Sequence, residues 1–242
     1  MRPELRSFGR LLTIQASWNY ERMSGVGLGY ASEPLLGDLA ASDPARSGEA
    51  VLRAAGFFNS HPYLAGVAAG AETRAEYDGV DGQQIERLRA ALCSPLGALG
   101  DQLFWAGLWP AVLGAALIAV VFGAGWWAPV AAVLVMVAVR IWVTRWSLRT
   151  GLRSGIQVGT ALQHSRLRAW IPPAGIVAAI AVGAAVPLVA GAEDGVRGGP
   201  ALVAVLVALV GVVVGQRRRV RITGVGFGLA AMAAVLITLA VG

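Results

Sequence analysis

Lysine is missing from this chain, so all 20 of its basic residues are arginine. Cysteine occurs once, as Cys93. That excludes an intrachain disulfide and any multi-cysteine metal site, and a lone thiol beside an apolar run reads as packing. Histidine occurs twice, as His61 and His164. Charge is scarce as well: 14% of residues are charged, against roughly 25% in soluble domains. No charged side chain occurs between Gln102 and Val139. The N-terminal "MRPELRSFGRLLTIQASW" has no apolar core long enough for a cleavable signal, so Met1 is expected to remain, on the cytoplasmic side.

What is present is hydrophobic: 56% of the 242 residues, with mean hydropathy +0.64. This is the composition of an integral membrane protein. A net charge of +6 and a pI near 10.6 would suggest nucleic acid in a soluble protein. Here the arginines cluster beside apolar runs, which topology explains better, and no nucleic-acid partner is expected.

Along the chain, Leu5, Phe8, Leu11, Leu12 and Gln15 fall at helical spacing with Arg2, Arg6 and Arg10 on another face. The pattern predicts an amphipathic helix lying on the membrane or on a partner. Gly25, Gly27 and Gly29 lack the strand and spacing of a phosphate cradle and fit close helix packing. Residues 37–50 read as a polar linker. The segment after Pro62 has too few apolar residues to cross a core of about 30 Å at about 1.5 Å per residue, which suggests a re-entrant or interfacial piece. The charged stretch 71–90 is expected in water.

The uncharged run 102–139 would make a helix of roughly 55 Å, too long for one crossing. "GAGWWAP" (Gly123–Pro129) is expected to fold it into a hairpin, with Trp126 and Trp127 in an interfacial belt. Arg145, Arg149 and Arg153 then recur every four residues, placed to snorkel toward headgroups. Apolar segments follow at about 169–192, 199–216 and 222–242. Arginine placement orients the spans with the N-terminus, 140–168 and 217–221 inside, and the tryptophan loop, 193–199 and the C-terminus outside. The expected fold is an all-α polytopic membrane protein: N-terminal amphipathic and re-entrant helices, then about five transmembrane helices. Three regions follow: 1–100 on the cytoplasmic side, 101–168 a transmembrane hairpin with an Arg-rich helix, and 169–242 three transmembrane helices.

Little here suggests self-contained catalysis. His164, in "LQHSRLR", reads as a solvated interfacial residue. Asn59 and His61, in "FFNSHP", could bind a sugar hydroxyl or satisfy a turn ahead of Pro62. Asp101 could cap a helix start at the membrane surface or sit deeper, beside a polar path. An acid–base pair of His61 and Asp101 is a remote third use.

Three ordered stretches, "SWNYERM" (Ser17–Met23), "FFNSHP" (Phe57–Pro62) and "SPLGALGDQLFWAGLWP" (Ser94–Pro110), resemble the enzyme IID subunit of mannose/fructose/sorbose-type phosphoenolpyruvate-dependent sugar phosphotransferase systems. "RIWVTRWSLRTGLRSG" and "QRRRVRITGVGFG" extend the resemblance over most of the chain. The resemblance implies a non-catalytic subunit of the bacterial cytoplasmic (inner) membrane without cofactor or metal. It would form a hexose path together with enzyme IIC, while cytoplasmic enzymes IIA and IIB carry the phosphate and IIB phosphorylates the sugar. By matched motif it puts Asn59, His61 and Asp101 near that path with Phe58 and Trp105 beside them, and Trp18, Asn19, Glu21 and Arg22 at the subunit interface. The chain departs from the family pattern at Ser94 (Gly), Gln102 (Pro or Ser) and Trp109 (Arg), and in a short loop at 193–199. Those departures leave room for a structural or regulatory module that docks to IIC without transporting.

Overall fold

Two helix starts sit where aspartate precedes a helix-compatible run. In a computed structural model that describes residues 3–193, the Asp43 carboxylate accepts from the Arg46 N–H at 3.0 Å, with Pro44 in the first turn. Asp81 accepts from the N–H groups of Gln83 and Gln84 at 3.0 and 3.3 Å. Each satisfies orphan donors of a first turn. Helices dominate the described residues: α1 (Pro3–Leu11), α2 (Gly25–Ser32), α3 (Gly37–Ser42), α4 (Pro44–Ala54), α5 (Ala65–Tyr77) and α6 (Gly82–Gly100) come first. Then come α7 (Trp109–Ala119), α8 (Trp127–Ser154), α9 (Val158–Gln163) and α10 (Leu167–Glu193). The stretch expected as a linker, 37–50, is instead α3 and most of α4, because Asp43 and Pro44 start a helix where composition alone suggested a loop.

Two units divide these residues, one of 3–101 with 137–168 and the other of 102–136 with 169–193. In the first, α5 is the centre, and nearly every residue from Ala65 to Glu76 is buried. Its small side chains admit α8 closely. A Cβ on Gly151 would lie 2.2 Å from the Val67 carbonyl oxygen, and one on Gly70 2.5 Å from that of Leu148. So close an approach of the two helices needs glycine at both positions. On α1 the buried side chains are Ser7 and Leu11, continued by Ile14, while Leu5 is exposed. Of the expected stripe through Leu5, Phe8, Leu11, Leu12 and Gln15, Leu11 is buried, Phe8 and Leu12 are half-buried, and Leu5 and Gln15 are exposed.

The stretch 71–90 is not simply in water. Glu72, Glu76 and Arg89 are buried. Arg89 donates to both Glu72 oxygens at 3.1 and 2.5 Å. Arg53 donates to Glu76 at 2.7 Å, and Arg46 to the same carboxylate at 3.2 Å. Charge that hydropathy sends to solvent is here taken up by ion pairs inside protein.

Helix α6 runs on without interruption. Asp101–Leu108 are π-helical, α7 follows, and Val120–Ala124 form a second π-helical turn, giving a helix of 43 residues from Gly82 to Ala124. Asp101 has helical backbone angles, φ −64° and ψ −43°, so it lies within a helix and caps no helix start. Gly97 and Gly100 ahead of it are helical. Positive φ at Gly123 (95°) and Gly125 (55°) ends the run, conformations that glycine adopts without penalty, and α8 begins at Trp127. In the second unit a Cβ on Gly114 would lie 2.7 Å from the Ala181 backbone, so α7 and α10 meet through small residues. Among the described residues three helices are long and apolar enough to cross a membrane: Gly82–Ala124, Trp127–Gln163 and Leu167–Val186. The expected spans at 199–216 and 222–242 and the basic cluster at 217–221 lie outside the described residues.

Candidate functional site

The first motif folds on itself around Asn19. Its side-chain carbonyl accepts from the N–H groups of Glu21 and Arg22 at 3.1 and 2.9 Å, and its amide donates to the Ser17 carbonyl at 3.3 Å. Asparagine is favoured here because its short amide mimics a backbone turn. Asn19 and Met23 also exchange backbone hydrogen bonds, at 3.3 and 2.8 Å. Met23 has φ 52°, unusual for a residue with a long side chain. That turn presents the next backbone groups to the second motif. Phe58 N–H donates to the Arg22 carbonyl at 3.2 Å, and Ser24 N–H donates to the Phe58 carbonyl at 3.0 Å. "SWNYERM" and "FFNSHP" are thereby joined through backbone, 35 positions apart from Met23 to Phe58 in sequence.

The second motif then meets the third. Phe58 and His61 are 0% and 1% exposed. A Cβ on Gly100 would lie 2.1 Å from the His61 Cβ and 2.4 Å from its Cγ, so the imidazole packs against α6 only because position 100 is glycine. The backbone N–H of Tyr63 donates to His61 Nδ1 at 3.3 Å. With Nδ1 accepting, the neutral ring carries its proton on Nε2. The Tyr63 ring stands edge-on to the imidazole, with centroids 4.7 Å apart. Arg140 of α8 donates to the Leu12 carbonyl at 2.7 Å, at the C-terminal end of α1, and its guanidinium lies 5.6 Å from the Tyr63 ring centroid. Burial first, and then the charge of Arg140, lower the His61 pKa from 6.5 to about 4. His61 is therefore neutral at physiological pH, and an acid–base role near pH 7 does not suit it.

The sequence-selected residues thus separate into two kinds. Phe58 and His61 are buried and Asn19 is half-buried, and together they hold the junction of the three motifs. Asn59 and Asp101 are exposed, Asp101 one position beyond the glycine that seats His61. Trp18, Glu21 and Arg22 are exposed around the Asn19 turn, Trp18 edge-on to Tyr20 with centroids 4.9 Å apart. Trp105 belongs to the second unit. There it stacks on Trp109 at 6.2 Å, beside an apolar groove of ≈ 490 Å³ that Leu113, Leu117 and Val182 help line. His164 is exposed, as expected.

Sequence reading overlooked Tyr63, Gly100, Arg140 and the buried carboxylates. Glu72 and Glu76, four residues apart on the helical run of small side chains, were the one available signal: two acids on a face with no solvent-like neighbours. Burial raises the Glu72 pKa, opposed by the charge and hydrogen bonds of Arg89. No group of three or more His, Cys, Asp or Glu suited to a metal ion occurs among the described residues.

Residues 4–193 match the family described as the PTS system mannose/fructose/sorbose family IID component. Among curated relatives, the chain is 32% identical over 117 residues to the mannose-specific EIID component of Escherichia coli (strain K12), a match covering 46% of this chain and 41% of that protein. It is 33% identical over 111 residues to the fructose permease IID component of Bacillus subtilis (strain 168), covering 43% and 40%. With the sorbose-specific EIID component of Klebsiella pneumoniae it shares 36% over 112 residues, covering 43% and 40%. The matched region spans about two fifths of each relative's length. The fold is similar to a chain in a cryo-EM structure of the mannose transporter ManYZ with microcin E492, at TM-score 0.58 and 22% identity, covering 97% of this chain and 96% of that one. A second structure, described as a membrane protein, gives TM-score 0.65 at 22% identity with the same coverage.

Proposed function

We propose, starting from the fact that this chain belongs to the mannose/fructose/sorbose family of IID components of the sugar phosphotransferase system, that it forms with a IIC subunit the path of a hexose phosphorylated on entry by IIB. The observation that carries this reading is the meeting, within the first unit, of the first two family motifs with the start of the third, Ser94–Asp101, which leaves Asn59 and Asp101 exposed beside a buried scaffold of Phe58 and His61. Both exposed groups accept hydrogen bonds, and Asn59 also donates them, as a sugar hydroxyl requires. Trp105 is the aromatic side chain assigned to the same path.

In this reading the chain is non-catalytic and takes no phosphate. IIA and IIB carry the phosphate, and the chain resides in the bacterial inner membrane with its N-terminus inside and its C-terminus outside. Five spans and the three-region division at residues 100 and 168 belong to the same proposal. Trp18, Glu21 and Arg22 would meet IIC, and Asn19 would shape the turn that presents them. Support for the orientation is arginine asymmetry. A helix of 43 residues, about 60 Å long, also exceeds the membrane core and leaves its charged N-terminal part outside it.

Trp109 favours a second reading. An apolar indole occupies a place where the family pattern has a charged guanidinium, as would suit a docking or regulatory module that does not transport. Co-expression with the IIC subunit of the same system, followed by detergent purification, tests the assembly common to both readings. A stable stoichiometric complex is expected. A monodisperse solitary chain from cells that make both subunits would refute it.

A further inference from the structure

Helices α4 and α6 both pack across α5 and leave a groove between them of ≈ 710 Å³. Its floor is made by Arg53 and Arg89, whose charges are already met from below by Glu76 and Glu72. Its walls are apolar: Leu52 and Phe57 line it and are 73% and 54% exposed, large hydrophobic side chains left without cover in this unit. Its rim carries Glu49 and Glu86, which both line the groove and are exposed, and Glu49 also pairs with Arg53 at 3.3 Å. Arg46, Arg53 and Arg89 stand against the four carboxylates of Glu49, Glu72, Glu76 and Glu86, so the excess charge presented outward is a single negative one, at Glu86.

We propose that this groove docks an amphipathic helix of a protein partner, apolar on one face and bearing arginine or lysine on its flanks. Two roughly helical walls with an apolar trough suit a helix laid into a groove. Acidic residues at the edge of the trough suit basic residues at the edges of the incoming helix. The alternative cover, a membrane surface, fits less well. Anionic headgroups attract basic segments, and this rim would repel them. The inference concerns α4 and α6 alone and does not depend on the sugar path.

Cys93 lines the groove and is the chain's single thiol, so its alkylation reports occupancy without added cysteines. The full-length chain, in phosphatidylcholine nanodiscs, is treated with N-ethylmaleimide in the presence of a synthetic amphipathic peptide of about 18 residues, five helical turns, with Leu and Phe on one face and Arg on both flanks. At a peptide concentration ten times that for half-saturation, alkylation is expected to slow about tenfold, by mass action. The same peptide with Glu in place of Arg is expected to give no protection. Glu86→Arg combined with Glu49→Gln should abolish protection by the Arg peptide, measured against the variant's own rate without peptide because the added cation raises the thiolate fraction of Cys93, while an unchanged helical circular-dichroism spectrum shows the fold intact. Leu52→Asn, a change at an exposed position, should weaken protection independently of charge. Equal protection by the Arg and Glu peptides, or none at saturating Arg peptide, overturns the proposal. Slowed alkylation in anionic phosphatidylglycerol nanodiscs without peptide overturns it in favour of a lipid surface.

Discussion

His61 is held neutral by the residues around it, and that has a measurable consequence for stability. Its folded pKa, about 4, lies below the ordinary 6.5. Between those values the unfolded chain binds a proton that the folded chain does not, so stability falls as pH drops from about 6.5 toward 4 and levels off below. Thermal unfolding of the purified protein in detergent should show a loss on the order of 1–2 kcal/mol between pH 7 and pH 5 from this group. His61→Gln should flatten that part of the profile. An unchanged profile would show that the imidazole already titrates in the folded state near its ordinary pKa. Gly100 supplies a second residue-scale test. Gly100→Ala puts a methyl group 2.1 Å from the His61 Cβ, and overpacking of this kind costs about 1–3 kcal/mol. Pairing it with His61→Gly, which removes both the Cβ and the ring that the new methyl group meets, should recover part of the loss; strictly additive losses would mean that the two positions do not touch.

Among elements, α4, α5 and α6 are tied by paired charges buried inside a small-residue core. Arg89→Met leaves Glu72 buried without its bidentate partner, and breaking such a pair costs about 3–5 kcal/mol. Glu72→Leu with Arg89→Met removes both charges and should restore most of the stability, read from urea or thermal unfolding in detergent. A double variant as unstable as Arg89→Met alone would contradict the account. This network also marks the limit of what the sequence disclosed. The membrane character, the break at Gly123–Gly125 and the close-packing glycines of α2 were legible, because length, charge and side-chain volume decide them locally. The helical state of 37–50 was not, since Pro, Gly and Ser weigh toward a loop until Asp43 is seen to cap a helix. Asp101 misled for the opposite reason: Pro95, Gly97 and Gly100 suggest a turn, yet helical hydrogen bonding continues through them into a π-helical segment. Of the site, the motifs named Asn59, His61 and Asp101, but the burial of His61 depends on Tyr63, Gly100 and Arg140, partners that spacing along the chain cannot reveal.

At the scale of the whole molecule, the three motifs build one junction that leaves Asn59 and Asp101 exposed, and the proposed function gives those two side chains to a hydrophilic solute. An isolated charge at the centre of a membrane helix costs about 2.5–3.5 kcal/mol, so Asp101 should face protein or water once assembled. The orientation has its own check. A cysteine introduced by Phe8→Cys in a Cys93→Ser background should react with impermeant maleimide only in inside-out vesicles, and one introduced by Trp126→Cys only in intact spheroplasts. The reverse pattern would invert the topology. The central claim is tested most directly by labelled-hexose uptake in cells that carry the complete system. With the IIC complex shown intact by co-purification, Asn59→Ala should reduce uptake about fivefold and Asp101→Ala about tenfold or more, the scale of a lost neutral or charged hydrogen bond. Unchanged uptake in both variants, with the complex still assembled, would contradict the assignment of these residues to the sugar path.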